Sequence, residues 1–195
     1  MIAVVDYGAG NIRSLMNTLR RLGADCQLTS DPVTLRGADK VVFPGQGEAR
    51  YAMASLRRTG LVDVLPKLTQ PFFGICLGQQ LLCVHSEEHD TPCLGVFPER
   101  VRHFPDPKNG ERIPHMGWND FTELSGPLMA DVELSDDVYF VHSYYCELGP
   151  NVCATTDYIL PFAAAMQRDN FYATQFHPEK SAGTGERILR NFLEL

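Results

Sequence analysis

The sequence predicts an α/β protein with a mostly parallel central sheet, helices on its flanks and antiparallel strands added later in the chain. Three observations lead there. Through residues 2–84, short apolar runs alternate with amphipathic stretches, the pattern of strand and helix in a parallel sheet. Past Val84 the runs shorten and turn-rich links separate them, which suits antiparallel additions. No internal repeat, low-complexity tract or linker interrupts the 195 residues. A single domain over 1–195 is therefore expected, long enough to bury about 70% of the surface its unfolded chain exposes.

The first strand is read at 2–6. After Tyr7-Gly8-Ala9-Gly10-Asn11, the spacing of Ile12, Leu15, Met16, Leu19 and Leu22 predicts a helix over about 12–22, which Gly23 stops. Residues 25–29 read as the second strand, Asp31-Pro32 as the opening of a short helical turn, and 40–43 as the third strand. Pro44-Gly45-Gln46-Gly47 is a loop, and helical spacing resumes over 48–68 with an interruption at Gly60. The strand at 72–75 then runs directly into Cys76. Later strands are expected at 138–141, 152–156, 162–167 and 172–176, an exposed turn at 105–110, and a closing helix at 185–195 that buries Ile188, Leu189, Phe192 and Leu193.

Composition excludes several classes of function. Hydrophobic residues at 44% and charged residues at 21% are those of a globular chain and not of a disordered one. The net charge is −7 and the seventeen Lys and Arg are scattered, whereas nucleic-acid affinity comes from clustered cations that displace counterions. No nucleic-acid partner is expected. No apolar run approaches the roughly twenty residues that cross a bilayer, and the start Met-Ile-Ala-Val-Val-Asp lacks the basic head of a signal peptide, so no membrane partner and a cytoplasmic location are expected. The six cysteines (26, 76, 83, 93, 146 and 153) read as free thiols, none in a C-x-x-C pair, so no metal site is expected. His85 and His89, four apart, could share a helix face, and without nearby cysteine partners they read as a solvent-facing pair and not as a metal site.

Two motifs carry chemistry. Gly74-Ile75-Cys76-Leu77-Gly78, between an apolar strand and a helical pattern, has the form of a nucleophile elbow with cysteine in the serine position. At such a turn Cys76 sits at a helix N-terminus, whose free N–H groups favour a thiolate, and the amide of Leu77 is available to an oxyanion. Cys26, Cys83, Cys93, Cys146 and Cys153 are better read as small apolar residues. The second motif is Phe176-His177-Pro178-Glu179. Imidazole can take the thiol proton and later return it to a leaving amine, and Glu179 can fix the tautomer of His177 from its other ring nitrogen. A lone histidine at a strand end is usually structural, so the reading rests on both motifs together.

These residues resemble the class I (triad) glutamine amidotransferases. Along the whole chain the likeness extends to the branch that forms the glutaminase subunit of imidazole glycerol phosphate synthase. It rests on Asp6-Tyr7-Gly8-Ala9-Gly10-Asn11, Pro44-Gly45-Gln46-Gly47, the elbow, His115-Met116-Gly117-Trp118-Asn119, Tyr139-Phe140-Val141-His142-Ser143-Tyr144 and Gln175-Phe176-His177-Pro178-Glu179-Lys180-Ser181. The resemblance implies a catalytic set of Cys76, His177 and Glu179 working through a cysteinyl thioester. It implies an oxyanion hole at Gln46 and Leu77, and glutamine held by Gly47, Gln80, Ser143 and Tyr144. It also implies a partner, a (β/α)8-barrel cyclase met by Asn11, Trp118 and Lys180 in a heterodimer, and no cofactor. For these three, the plainer readings are a helix cap, a core aromatic and a surface charge. Gln46 stands where the family loop carries valine, which leaves the resting conformation of that loop open.

Alternative readings share parts of this set. A triad glutaminase feeding pyridoxal phosphate synthesis would keep Cys76, His177 and Glu179, and the runs around Asn11 and Trp118 argue against it. A cysteine peptidase would use the same thiolate and imidazole on peptides, and a binding-only protein would have lost the catalytic set.

Overall fold

The computed structural model describes residues 1–8, 12–108 and 110–195. Its first half is β1 (Ile2–Val5), α1 (Ile12–Arg21), β2 (Cys26–Thr29), α2 (Pro32–Gly37), β3 (Lys40–Gly45), α3 (Ala49–Arg58), β4 (Phe72–Cys76) and α4 (Leu77–Leu82). Short strands follow: β5 (His85–Ser86), β6 (Thr91–Pro92), β7 (Arg100–His103), β8 (His115–Asn119), β9 (Glu123–Leu124), β10 (Val138–His142) and β11 (Tyr144–Cys146). The chain then forms β12 (Val152–Tyr158), β13 (Leu160–Arg168), β14 (Phe171–Thr174) and α5 (Ala182–Glu194).

Among the described residues the main sheet has eight strands in the order β2-β1-β3-β4-β14-β13-β12-β9. The five from β2 to β14 are parallel. β13, β12 and β9 extend the sheet antiparallel. A parallel sheet must be covered on both faces, which is why its inner strands β1, β4 and β14 are buried along their whole length, while the edge strand β2 exposes Gln27 and Leu28. Ala3, Val5, Val41, Phe43 and Phe72 face one core with Met53, Leu56, Leu81 and Leu82 from α3 and α4. Ile2, Val4, Val42, Phe73 and Ile75 face the other, with Leu15 and Leu19 of α1 and Ile188, Leu189 and Phe192 of α5. Phe73 and Phe192 meet at 4.9 Å between ring centroids and fasten the last helix to the sheet centre.

Local signals set several boundaries. Asp31 caps α2, accepting from the amides of Val33 at 3.2 Å and Thr34 at 2.9 Å, with Pro32 at the first helical position where no donor is missed. Gly23, at φ 86°, ends the α1 segment as expected. The expected helix over 48–68 is shorter: α3 stops at Arg58, Gly60 turns left-handed at φ 72°, and two 3-10 turns follow, Leu61–Asp63 and Leu65–Lys67. Pro66 has no amide hydrogen to continue a helix.

β14 ends at Thr174, short of the expected 176, and α5 begins at Ala182 instead of 185. His85 and His89 do not share a helix. His85 lies on β5 between Asp90 and Arg100, and His89 lies in the following turn beside Glu48. The small sheets β11-β7-β5-β6 and β10-β8 were not anticipated. Residues 105–108 and 110 are irregular and mostly exposed; Asn109 lies outside the described residues. All six cysteines are free thiols. Among the described residues no three His, Cys, Asp or Glu are grouped to hold a metal, and no helix is long and apolar enough to cross a membrane.

Candidate active site

The carboxyl ends of β3, β4 and β14 lie side by side in register, Gly45 opposite Cys76 and Ile75 opposite Thr174. Open parallel sheets bind ligands at this end of the strands. Cys76 closes β4 and sits at φ 54°, ψ −110°, a backbone conformation that a residue with a Cβ seldom adopts. The neighbouring strand and helix hold it there at close quarters. A Cβ on Gly78 would lie 2.0 Å from the carbonyl oxygen of Phe43, and one on Gly74 would lie 2.8 Å from Cδ1 of Leu82. Packing against backbone therefore requires glycine at 78, a Cβ at 74 would need Leu82 and the Gly78 backbone to give way, and α4 starts immediately after Cys76.

His177 follows β14. Its amide donates to the carbonyl of Tyr139 at 2.9 Å, and Ser181 Oγ donates to its carbonyl at 2.7 Å while accepting from the amide of Tyr139 at 2.9 Å. The imidazole is 2% exposed, and its Nδ1 donates to Glu179 Oε1 at 2.9 Å. Its Nε2 is buried and has no hydrogen-bond partner among the described residues. Burial works against charge on this ring, but the nearby Cys76 sulfur and then Glu179 outweigh it and push the imidazole up to about 10. The surroundings of His177 therefore favour its charged form, with the Cys76 sulfur near one side of the ring and the Glu179 carboxylate on the other.

Cys76 Sγ has two further neighbours. Gln175 Nε2 donates to it at 3.6 Å, and the thiol reaches the carbonyl of Val141 at 3.9 Å. Although only 7% exposed, the residue opens onto a pocket of about 410 Å3 that is also lined by Gln46, Gly47, Leu77, Gln80, Ser143, Tyr144, His177 and Lys180. The structure therefore gathers the sequence-derived pocket residues around one cavity. Glu179 stands behind His177, its side chain 5% exposed. Pro44 and Gly45, read as loop, belong to β3, which leaves Gln46 and Gly47 as the turn at the rim.

Some features of the pocket were not legible beforehand. Glu88 lines it, with its carboxyl pushed up by burial, and anchors the start of α3 by accepting from the amide of Ala49 at 2.7 Å. Gln80 Nε2 donates to the carbonyl of Tyr144 and to Gln175 Oε1, each at 2.9 Å, which fixes the orientation of its side-chain amide at the pocket wall. His142 also borders the cavity, but burial pushes it down to about 3, and burial likewise lowers His115 to about 4. Both are neutral: His142 Nδ1 donates to the carbonyl of Tyr144 at 2.8 Å and accepts at Nε2 from His115 Nδ1 at 3.1 Å. Among the described residues neither has a carboxylate against its ring, unlike His177.

Trp118 is 54% exposed, and Met116 beside it on β8 is 62% exposed, so Trp118 is not a core aromatic. It packs on Tyr139 at 5.9 Å, and Lys180 Nζ lies over the same ring at 5.9 Å. Lys180 thus connects this outer face with the rim of the pocket. Asn11 lies outside the described residues.

A strained cysteine at a strand end, a buried His–Glu pair beside it and a pocket over both define a cysteine-dependent hydrolase or transferase on an α/β sheet. The family model for glutamine amidotransferase class-I matches residues 3–195, and the chain belongs to that family. It is 52% identical over 194 residues to the imidazole glycerol phosphate synthase subunit HisH of Bacteroides thetaiotaomicron, covering 100% of this chain and 99% of that one. It is 47% identical over 195 residues to the protein of the same name from Xylella fastidiosa, covering 100% and 97%. Among solved structures, a crystal structure of a glutamine amidotransferase superimposes with a TM-score of 0.74 at 23% identity, over 100% of this chain and 98% of that one, a likeness of fold.

Proposed function

We propose that the chain is the glutaminase subunit of an imidazole glycerol phosphate synthase, one domain over 1–195 that supplies ammonia to a (β/α)8-barrel cyclase subunit in histidine biosynthesis. The observation that carries the chemistry is the buried His177–Glu179 pair set beside Cys76 at the edge of a pocket that Cys76 and His177 both line. The pairing with a particular partner rests on the full-length likeness to subunits of that name.

In the proposed reaction the Cys76 thiolate attacks the side-chain amide carbon of glutamine. The oxyanion takes hydrogen bonds from backbone amides at Leu77, the first residue of α4, and at the Gln46 and Gly47 turn. His177 gives its Nε2 proton to the departing nitrogen, and ammonia leaves a glutamyl thioester. Water then attacks that carbon, His177 accepts a proton, and glutamate is released with Cys76 restored. Glu179 keeps the Nδ1 proton in place throughout and stabilises the charged ring. The amino-acid end of glutamine carries an ammonium and a carboxylate. Oε1 of Gln80 and the carboxyl of Glu88 suit the ammonium, and Ser143 and Tyr144 complete the cradle.

Ammonia released into water is protonated and lost as a nucleophile, so the acceptor must be docked. The exposed Trp118 with Tyr139 and Lys180 supplies an apolar, cationic face beside the pocket. With Gln46 at the rim, the isolated chain is expected to turn over glutamine slowly and to be accelerated by the cyclase with its nucleotide substrate bound. The test is to purify the two subunits together and measure glutamate and imidazole product from glutamine. Full-rate turnover by the lone chain, or peptide cleavage in its place, would reject this assignment.

A further inference from the structure

Gln175 is fully buried immediately after β14, and its backbone amide donates to the carbonyl of Ala164 at 2.8 Å, which fixes the start of its side chain. Its amide oxygen is taken by Gln80 Nε2 at 2.9 Å. Because a primary amide presents its oxygen and nitrogen on opposite sides, this bond decides which group faces the other way. Nε2 therefore points at Cys76 Sγ, 3.6 Å away. Gln80 is held in turn by the carbonyl of Tyr144, so the chain from pocket backbone to sulfur has a defined donor and acceptor at each link.

We propose that Gln175 is a further catalytic residue: its buried amide donates to the Cys76 sulfur, stabilises the thiolate and aims it while His177 serves as the acid and base. This rests on the thioester reading given above. The reasoning is electrostatic. A thiolate in a site only 7% exposed has lost most of its water, and a fixed neutral donor replaces part of that solvation at no cost in reorganisation. A second cation would bind the sulfur too tightly for attack, and an apolar side chain would leave it unsupported. On this account the hydrogen bond is made in the free enzyme and kept when the thiolate is regenerated after deacylation.

Two substitutions separate this role from a packing role. Gln175→Met keeps bulk and removes the donor; Gln175→Glu keeps the acceptor for Gln80 and places an oxygen against the sulfur. In the purified full chain, the rate of iodoacetamide labelling of Cys76 is followed against pH by peptide mass spectrometry, which distinguishes it from the other five cysteines. The half-maximal pH is expected to rise by about one unit in Gln175→Met and further in Gln175→Glu, the size of one hydrogen bond to a charged atom. The kcat of the complex with the cyclase is expected to fall about tenfold or more, with KM for glutamine changed less and ammonium-driven product formation intact. An unchanged labelling profile in whichever variant keeps the parent melting temperature overturns the proposal, as does unfolding of both, which would make Gln175 a packing residue. Parent enzyme whose activity survives complete labelling of Cys76 would sink the thioester reading itself, and this inference with it.

Discussion

Replacing Cys76 by alanine takes away the group that does most to keep His177 charged. Burial of the ring opposes protonation and remains in the variant. The influence of the sulfur on the ring is lost, and only Glu179 still favours the imidazolium. In the parent the ring sits at about 10 against an ordinary 6.5, a net preference for charge on the order of 5 kcal/mol. Because the folded value is raised, its contribution to stability is complete below about 6.5 and disappears as pH climbs through about 10. With Cys76→Ala the His177 resonance followed by NMR should titrate several units lower, and the alkaline loss of stability should move down with it. Glutamate formation should be abolished, while the cyclase in the same complex should still make product from added ammonium salts. An unmoved His177 titration would refute the electrostatic argument, and parallel loss of both activities would refute the division of labour between the subunits.

Glu179→Gln should retain an acceptor for Nδ1 but remove the charge, lowering glutaminase kcat by about 100-fold or more and drawing the alkaline limb of the kcat/KM profile downward; an unaltered profile would assign Glu179 a packing role. Gly78→Ala drives a methyl into the Phe43 carbonyl at 2.0 Å, so β3 and the elbow must separate. A stability loss of about 3 kcal/mol or more in urea denaturation, together with lost glutaminase activity, is expected, and a neutral effect would mean that the elbow is not held as tightly as this distance requires.

Much of the architecture was readable because its physical cause is local. Leu15 and Leu19 repeat at helical spacing, 2–5 and 72–75 are continuous apolar runs that only a sheet covered on both sides tolerates, and Asp31-Pro32 spells a capped helix start. The Gly74 to Gly78 motif was legible as a local pattern of small residues around a cysteine, although the demand that Gly78 answers comes from the Phe43 carbonyl on the neighbouring strand. The two-residue strands β5 and β6 were not, because a period needs more than two residues to show. Glu88 was passed over for want of any motif around it; its place in the pocket comes from the turn between β5 and β6, which returns it against the start of α3. His85 and His89 misled because four-residue spacing suggests a helix face wherever it occurs, and here the chain between them is a strand and a turn.

The sequence by itself determined most of the strand and helix succession, the elbow motif around Cys76 and the His-Pro-Glu run, and through these the family. Tertiary structure alone decided what those residues do to one another. β14 is inserted next to β4 across about a hundred intervening residues, which carries His177 to the sulfur and Gln175 beneath it. No local pattern specifies that pairing, because parallel strands are joined by crossovers whose partner is chosen by burial on both faces of the sheet. The charge state of three histidines follows from the same assembly: a carboxylate and a sulfur hold His177 charged, and burial without either keeps His115 and His142 neutral.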